Sequence, residues 1–182
     1  MSIETLKERM PSYAKDIKLN LSNIASSTVL TAQQLWGTML ASAIAARNDT
    51  VIASVAADAA SHLSPEAGKA ARAAAAVMAM NNVYYRSIHL LSDKEYGAMP
   101  ARLRMNAIAS PGIEKADFEL FSLAVSAING CGMCLDAHAQ ELNRAGVSRE
   151  AVQEALRVAA VIHAAACVVD GEAALPEARE AA

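Results

Sequence analysis

Apolar and polar positions along this chain recur with helical spacing, broken by short polar clusters, and no alternating run is long enough to build a sheet. Ile3–Arg9 and Ser12–Ile24 read as two short helices separated at Pro11, with a polar joint of Asn20, Ser22, Asn23, Ser26, Ser27 and Thr28 behind them. Thr31 is placed to cap Gln33–Ala46, where Leu35, Met39 and Ile44 lie roughly on one face. Asn48-Asp49-Thr50 ends that helix and starts another, Val51–Ser61. Ser64-Pro65-Glu66 combines a capping serine with proline in the first turn and opens a helix from Glu66 to about Leu90. Short pieces around Lys94 and over Arg102–Ile108 follow, punctuated by Gly97, Pro100 and Pro111-Gly112. Ala116–Ile128 is stopped at Asn129-Gly130, Cys131–Arg144 at Gly146, and Ser148-Arg149-Glu150 repeats the start signal ahead of Ala151–Val169. The fold class expected is all-α.

The chain also repeats itself. A shift of 84 residues lays Ser42-Ala43-Ile44 on Ser126-Ala127-Ile128, Ser64-Pro65-Glu66-Ala67 on Ser148-Arg149-Glu150-Ala151, and Ala75-Ala76-Val77 on Ala159-Ala160-Val161. Alanine richness inflates identity counts, but a shared helix-start signal at the same offset is harder to obtain by chance. The expectation is a duplicated helical unit in a two-domain subunit, with residues 1–95 as one repeat and 96–182 as the other. Cysteine chemistry sits in one copy only: Cys131, Cys134 and His138 fall opposite Arg47, Thr50 and Ser54, which makes the first repeat scaffold and the second the site.

Composition sharpens the helical reading. Of the 182 residues, 54% are apolar but only 4% aromatic, and 42 are alanine, the best helix former and a poor strand residue. Each repeat therefore has a thin core of small side chains. A net charge of −3 and a pI near 5.8 offer no basic stripe for nucleic acid. The long charge-free stretches, Leu19–Ala46 and Leu120–Leu135, are interrupted by polar residues or too short, so no membrane association is expected. The charged, amphipathic start Met1-Ser2-Ile3-Glu4 lacks an apolar signal segment, and three cysteines are too few for a disulfide scaffold. A cytoplasmic setting is the expectation.

The chemistry concentrates at Cys131-Gly132-Met133-Cys134, where one helix has just ended and the next begins. Positions 131, 134 and 138 then share one helix face. First-turn amides and the helix dipole favour a thiolate there, and a dithiol with this spacing can close a small disulfide. His138 is one turn beyond Cys134, able to accept its proton directly or through water. Glu119, among Phe118, Leu120 and Phe121, is a candidate for partial burial facing His138. Cys131, Cys134, His138 and Glu119 also amount to four potential zinc ligands, which would make the region a zinc-stapled interaction module, and two plain buried thiols are a third reading. Leu135 stands where haem attachment would need histidine.

The pattern Glu119, Cys131-x-x-Cys134, His138 resembles that of the alkyl hydroperoxidase D (AhpD) family, in the wider carboxymuconolactone decarboxylase-like group. The resemblance extends through Tyr13–Leu21, Leu35-Trp36-Gly37-Thr38, Met80-Asn81-Asn82-Val83, Arg104-Met105-Asn106 and Ser126–Cys131, nearly the whole chain. It implies a trimer of two-domain, all-α subunits and a thiol peroxidase acting on organic hydroperoxides without a bound cofactor. Cys134 would be the peroxidatic thiol that passes through a sulfenic acid. Cys131 would be proton donor and then resolving thiol, closing a disulfide with Cys134, with Glu119 and His138 as proton relay. Dihydrolipoamide, carried on the lipoylated acyltransferase of a 2-oxo acid dehydrogenase, would be the electron donor. The C-type peroxiredoxin of the alkyl hydroperoxide reductase system would be a partner. Met133 departs from those members with a second histidine inside the motif, so any auxiliary role of that group is absent here. A lyase or decarboxylase of the wider group is a further alternative, and it has no use for a dithiol. A thin alanine core also accords with the implied trimer, since contact between subunits buries further surface.

Other residues carry plainer expectations. Cys167 is expected to be buried, His163 to lie in core or interface, and His62 and His89 to serve surface or capping roles. Met78, Met80 and Met105 are expected to pack, and Trp36 and Tyr84-Tyr85 to anchor core or subunit contacts.

Overall fold

The computed structural model describes residues 1–175. Its regular elements are all helical: α1 (Ile3–Glu8), a 3-10 turn (Ser12–Ala14), α2 (Lys15–Ala25), α3 (Ala32–Ala46), α4 (Asp49–Ala59), α5 (Pro65–Leu90), α6 (Glu95–Ala98), α7 (Asn106–Ala109), α8 (Lys115–Ile128), α9 (Gly132–Arg144) and α10 (Arg149–Ala174). Local chemistry explains most boundaries. Thr31 accepts from the Gln34 amide while Gln34 Oε1 accepts from the Thr31 amide, a reciprocal cap on α3. Asn48, Ser64 and Ser148 cap α4, α5 and α10 in the same sense, each accepting the amide three residues on.

Two expectations shift. The polar joint begins later than its residue types suggested, because α2 runs through Asn20, Ser22 and Asn23, and Ser22 Oγ bonds back to the Lys18 carbonyl at 3.4 Å. The last helix continues past Val169 to Ala174, Gly171 being carried inside it. Residues 176–182, the end of the second expected repeat, lie outside the described residues.

The helices α3 and α8 cross at the centre. Both α5 and α10 pack against this pair, α4 lies on α3, α9 on α8, and α1–α2 cover α4 and α10. The sequence repeat is visible as geometry. Helix α5 and helix α10 start and stop 84 residues apart, and α3 and α8 follow the same offset to within about one turn. Equivalent residues also touch: Gln33 Nε2 donates to Asp117 Oδ2 at 2.8 Å, and a Cβ on Gly37 would overlap the ring of Phe121, its own counterpart. Gln34 Nε2 donates to the other Asp117 oxygen at 2.8 Å. With α5 packed on α8 and α9 and α10 reciprocally on α3 and α4, these counterpart contacts fit two units related by an approximate local two-fold axis.

Small residues make that crossing possible. Phe118, Phe121, Leu120 and Met39 are fully enclosed around it, beside Ala41, Ala43 and Ala124. Trp36 is buried and stacks on His62, ring centroids 4.5 Å apart, and Tyr84 and Tyr85 meet edge-to-face at 5.2 Å. Helix α10 has the length and apolarity of a membrane span. Its Ala155, Val158, Ala159, Ile162 and Ala165 are spent on the core against α3 and α8.

Candidate active site

The site grows from the turn between α8 and α9. Asn129 ends α8, and Gly130 at φ +67° takes the left-handed conformation that glycine adopts without strain. The Gly130 amide then bonds the Ala127 carbonyl at 3.1 Å and the Cys131 amide reaches back to Ser126 at 3.1 Å. Cys131 is thereby both the closing residue of α8 and the N-cap of α9, where its Sγ accepts from the Cys134 amide at 3.3 Å. Cys131 and Cys134 are joined as a disulfide, with Cα atoms 5.3 Å apart. The two sulfurs differ in access: Cys131 is fully enclosed, whereas Cys134 is 6% exposed and lines a cavity of about 450 Å³.

His138 follows Cys134 by one turn of α9 and faces the same cavity. Its Nδ1 lies 2.6 Å from Glu119 Oε2, both residues buried, so the structure brings together all four residues singled out in the sequence. Of the two routes expected for proton transfer, direct or through water, the geometry leaves the second. The other imidazole nitrogen, Nε2, is 3.2 Å from Met78 Sδ, so in this disulfide form His138 makes no direct hydrogen bond to either cysteine.

Met78 marks what the sequence reading missed. It was expected to pack, and it does so at 1% exposure, but against the site itself. With Asn81 and Tyr85 it forms a stripe on α5, so the repeat without cysteines supplies one wall of the cavity. The dyad explains this, because it brings α5 of the first unit across α8 and α9 of the second. Met105 and Ile108 add to the lining, and Lys115 and Glu141 stand at its edge, bonded at 3.1 Å. The Lys115 hydrogen bond, helped by Arg144, holds the Glu141 carboxyl below its ordinary value of 4.5. Met133 is 39% exposed at the cavity wall.

The remaining expectations divide. His62 and His89 are on the surface, as expected. Cys167 is exposed and not buried, because α10 turns its Ala165-Ala166 edge to the core and the next residue outward. His163 is likewise exposed on this chain and is not a core residue. Among the described residues, no group of three His, Cys, Asp or Glu side chains is arranged to hold a metal ion.

Comparison with known proteins places the whole chain. The carboxymuconolactone decarboxylase family model matches residues 94–179, the part that carries the Cys131–Cys134 pair. A protein of Streptomyces coelicolor described as alkyl hydroperoxide reductase AhpD is 58% identical over 96% of this chain and 98% of its own. Proteins of the same description from Gluconacetobacter diazotrophicus and Rhodopseudomonas palustris are each 59% identical, over 96% of both chains. With similarity running at this level from end to end, the chain belongs to the AhpD family within the carboxymuconolactone decarboxylase group.

Proposed function

We propose that this protein is a thiol peroxidase, an alkyl hydroperoxide reductase that works through the Cys131–Cys134 dithiol without a bound cofactor. The observation that carries the reading is the pairing of a closed disulfide with a cavity that reaches only one of its sulfurs, Cys134, beside the buried Glu119–His138 pair. The names of the relatives support it.

In the oxidative half, the Cys134 thiolate attacks the terminal oxygen of a hydroperoxide. The O–O bond breaks, Cys134 becomes a sulfenic acid, and the alkoxide leaves as alcohol after taking a proton. Cys131 then attacks the Cys134 sulfur, forming the disulfide and releasing water. Two thiols and one hydroperoxide thus give one disulfide, one alcohol and one water. Glu119 and His138 are the proton relay that generates the thiolate, through a bridging water, since the imidazole nitrogens face Glu119 and Met78.

In the reductive half, a dithiol of the dihydrolipoamide class attacks the accessible Cys134 sulfur. Cys131 leaves as thiolate, stabilised by the Cys134 amide at the start of α9. The apolar lining of Met78, Met105 and Ile108 suits both an alkyl hydroperoxide and the hydrocarbon arm of a lipoyl group. We place the protein in the cytoplasm as a homotrimer of two repeats, 1–95 and 96–182. It takes electrons from a lipoylated acyltransferase of a 2-oxo acid dehydrogenase and regenerates a C-type peroxiredoxin.

The test is to count free thiols before and after one equivalent of an alkyl hydroperoxide, then after dihydrolipoamide. Two thiols are lost and then regained on this reading, and Cys134→Ser abolishes turnover. Full turnover by that variant overturns the assignment of Cys134.

A further inference from the structure

We infer that Asn81 is the hydrogen-bonding anchor for the hydroperoxide head group, a positioning residue supplied to the site by the repeat that lacks cysteines. The inference rests on the peroxidase reading above and adds a recognition element to it.

Asn81 is 5% exposed and lines the same cavity as Cys134, His138 and Glu119, yet its Oδ1 is buried with no hydrogen-bond donor in the protein. An orphaned buried carbonyl is costly, because it surrenders its hydrogen bonds to water and recovers none. The other buried oxygens in this condition, on Thr38, Ser42 and Ser122, belong to α3 and α8. Asn81 is on α5, one turn beyond Met78, whose sulfur touches His138. The side chain is therefore next to the reacting groups.

Two comparisons within the molecule show that the fold does not require this amide. The adjacent Asn82 is fully used as structure: its Nδ2 donates to Ser126 Oγ at 2.9 Å, and its Oδ1 accepts from Asn129 Nδ2 at 3.0 Å. Across the dyad, the position equivalent to Asn81 is Ala165, which is fully enclosed and apolar. The same helix in the same packing thus accepts alanine where no chemistry is done.

The ligand is set by what Oδ1 lacks and by what surrounds it. It needs a donor, and Met78, Met105, Met133, Ile108 and Ala137 give the cavity an apolar wall beside it. A hydroperoxide supplies an O–H at one end and an alkyl group at the other. A thiol of the reducing dithiol is a much weaker donor. Geometry across the reaction is also favourable: the oxygen that bears the hydrogen is the one transferred to sulfur. Cys134–S⁻ and HO–OR give Cys134–S–OH and ⁻OR, so a hydrogen bond from that O–H to Asn81 persists from substrate to sulfenic acid.

Single-turnover oxidation of the reduced full-length protein by tert-butyl hydroperoxide tests this with Asn81→Leu, which keeps the shape and removes the acceptor. The rate falls about tenfold or more. Labelling of the thiol by methyl methanethiolsulfonate, which has no donor to offer, stays within about twofold, as does reduction of the disulfide by dihydrolipoamide. The thermal midpoint rises, because an unsatisfied buried group has gone, whereas a merely structural asparagine would lower it on replacement. Asn81→Ala, matching Ala165, gives the same pattern should leucine prevent folding. An unchanged peroxide rate, or an equal loss in the thiosulfonate reaction, overturns the inference. If the unaltered protein labels with thiosulfonate but does not react with the hydroperoxide, the peroxidase reading itself has failed, which is a distinguishable result.

Discussion

Glu119 Oε2 and His138 Nδ1 lie 2.6 Å apart on different helices, and both side chains are buried. The contact ties α8 to α9 close to the cysteines, so under the proposed relay one pair would serve both packing and proton transfer. Glu119→Gln preserves the shape and removes the charge. On the proposed relay, it slows alkylation of Cys134 at neutral pH by about 100-fold while leaving the far-ultraviolet circular dichroism unchanged. Glu119→Ala also strips the imidazole of its acceptor, and urea unfolding shows a loss of about 1–3 kcal/mol.

Gly37 and Phe121 are coupled across the dyad, because a methyl group on Gly37 would occupy the space of the Phe121 ring. Gly37→Ala destabilises the protein by about 1–3 kcal/mol through overpacking. Adding Phe121→Leu returns part of that loss, so the double-mutant cycle in urea shows a coupling of about 0.5–3 kcal/mol. Strict additivity would mean that α3 and α8 do not approach as described.

Gly130 at φ +67° fixes the turn that places Cys131. Gly130→Ala puts a Cβ into the left-handed region and costs about 1–2 kcal/mol. It also moves the Cys131 sulfur off the Cys134 amide, so the equilibrium between dithiol and disulfide, read in glutathione buffers, shifts together with stability. Gly130→Asn is milder on both readouts, since asparagine tolerates this conformation.

The Lys115–Glu141 bond at the cavity edge gives a pH signature. Glu141 is depressed in the folded protein, chiefly by Lys115 and secondly by Arg144. A depressed carboxyl contributes stability above its unfolded pKa, and that contribution is lost as pH falls through the folded value. Lys115→Met moves Glu141 back toward 4.5, measured by carboxyl carbon NMR. The stability difference between the two proteins is present at pH 6 and disappears in stronger acid. The carboxylate stays accessible to solvent, so the effect shrinks with salt.

Much of the backbone is legible in local chemistry. Serine caps with proline or glutamate behind them, and an Asn-Gly pair ahead of Cys131, mark helix ends that do not depend on tertiary contacts. The Glu119–His138 juxtaposition was also readable, because both residues flank one turn. Two things were not. The outward face of Cys167 could not be assigned because α10 carries alanine around its circumference, and a helix with small residues on every side has no distinct apolar stripe. The roles of Met78 and Asn81 depend on α5 crossing to the other unit, a contact that no local pattern encodes.

The dyad between α3 and α8 also bears on the origin of the site. The chain has the geometry of two fused copies, of which one carries the Cys131–Cys134 pair and the other does not. A symmetric ancestor would have held two equivalent pockets, each walled by its neighbour's counterpart of α5. In the present molecule, Leu35, Thr50 and Ser54 occupy the positions of Glu119, Cys134 and His138, and α1 leans on α4 where the second pocket would open. Helices α5 and α10, the equivalent helices of the two copies, differ in the residues they carry. Met78, Asn81 and Tyr85 of α5 line the Cys134 cavity, whereas α10 has Ile162, Ala165 and Val169 at the equivalent positions. Under the proposed function, the half without the cysteine pair would give the active site one wall and no reacting group, a division of labour that a symmetric pair could not make.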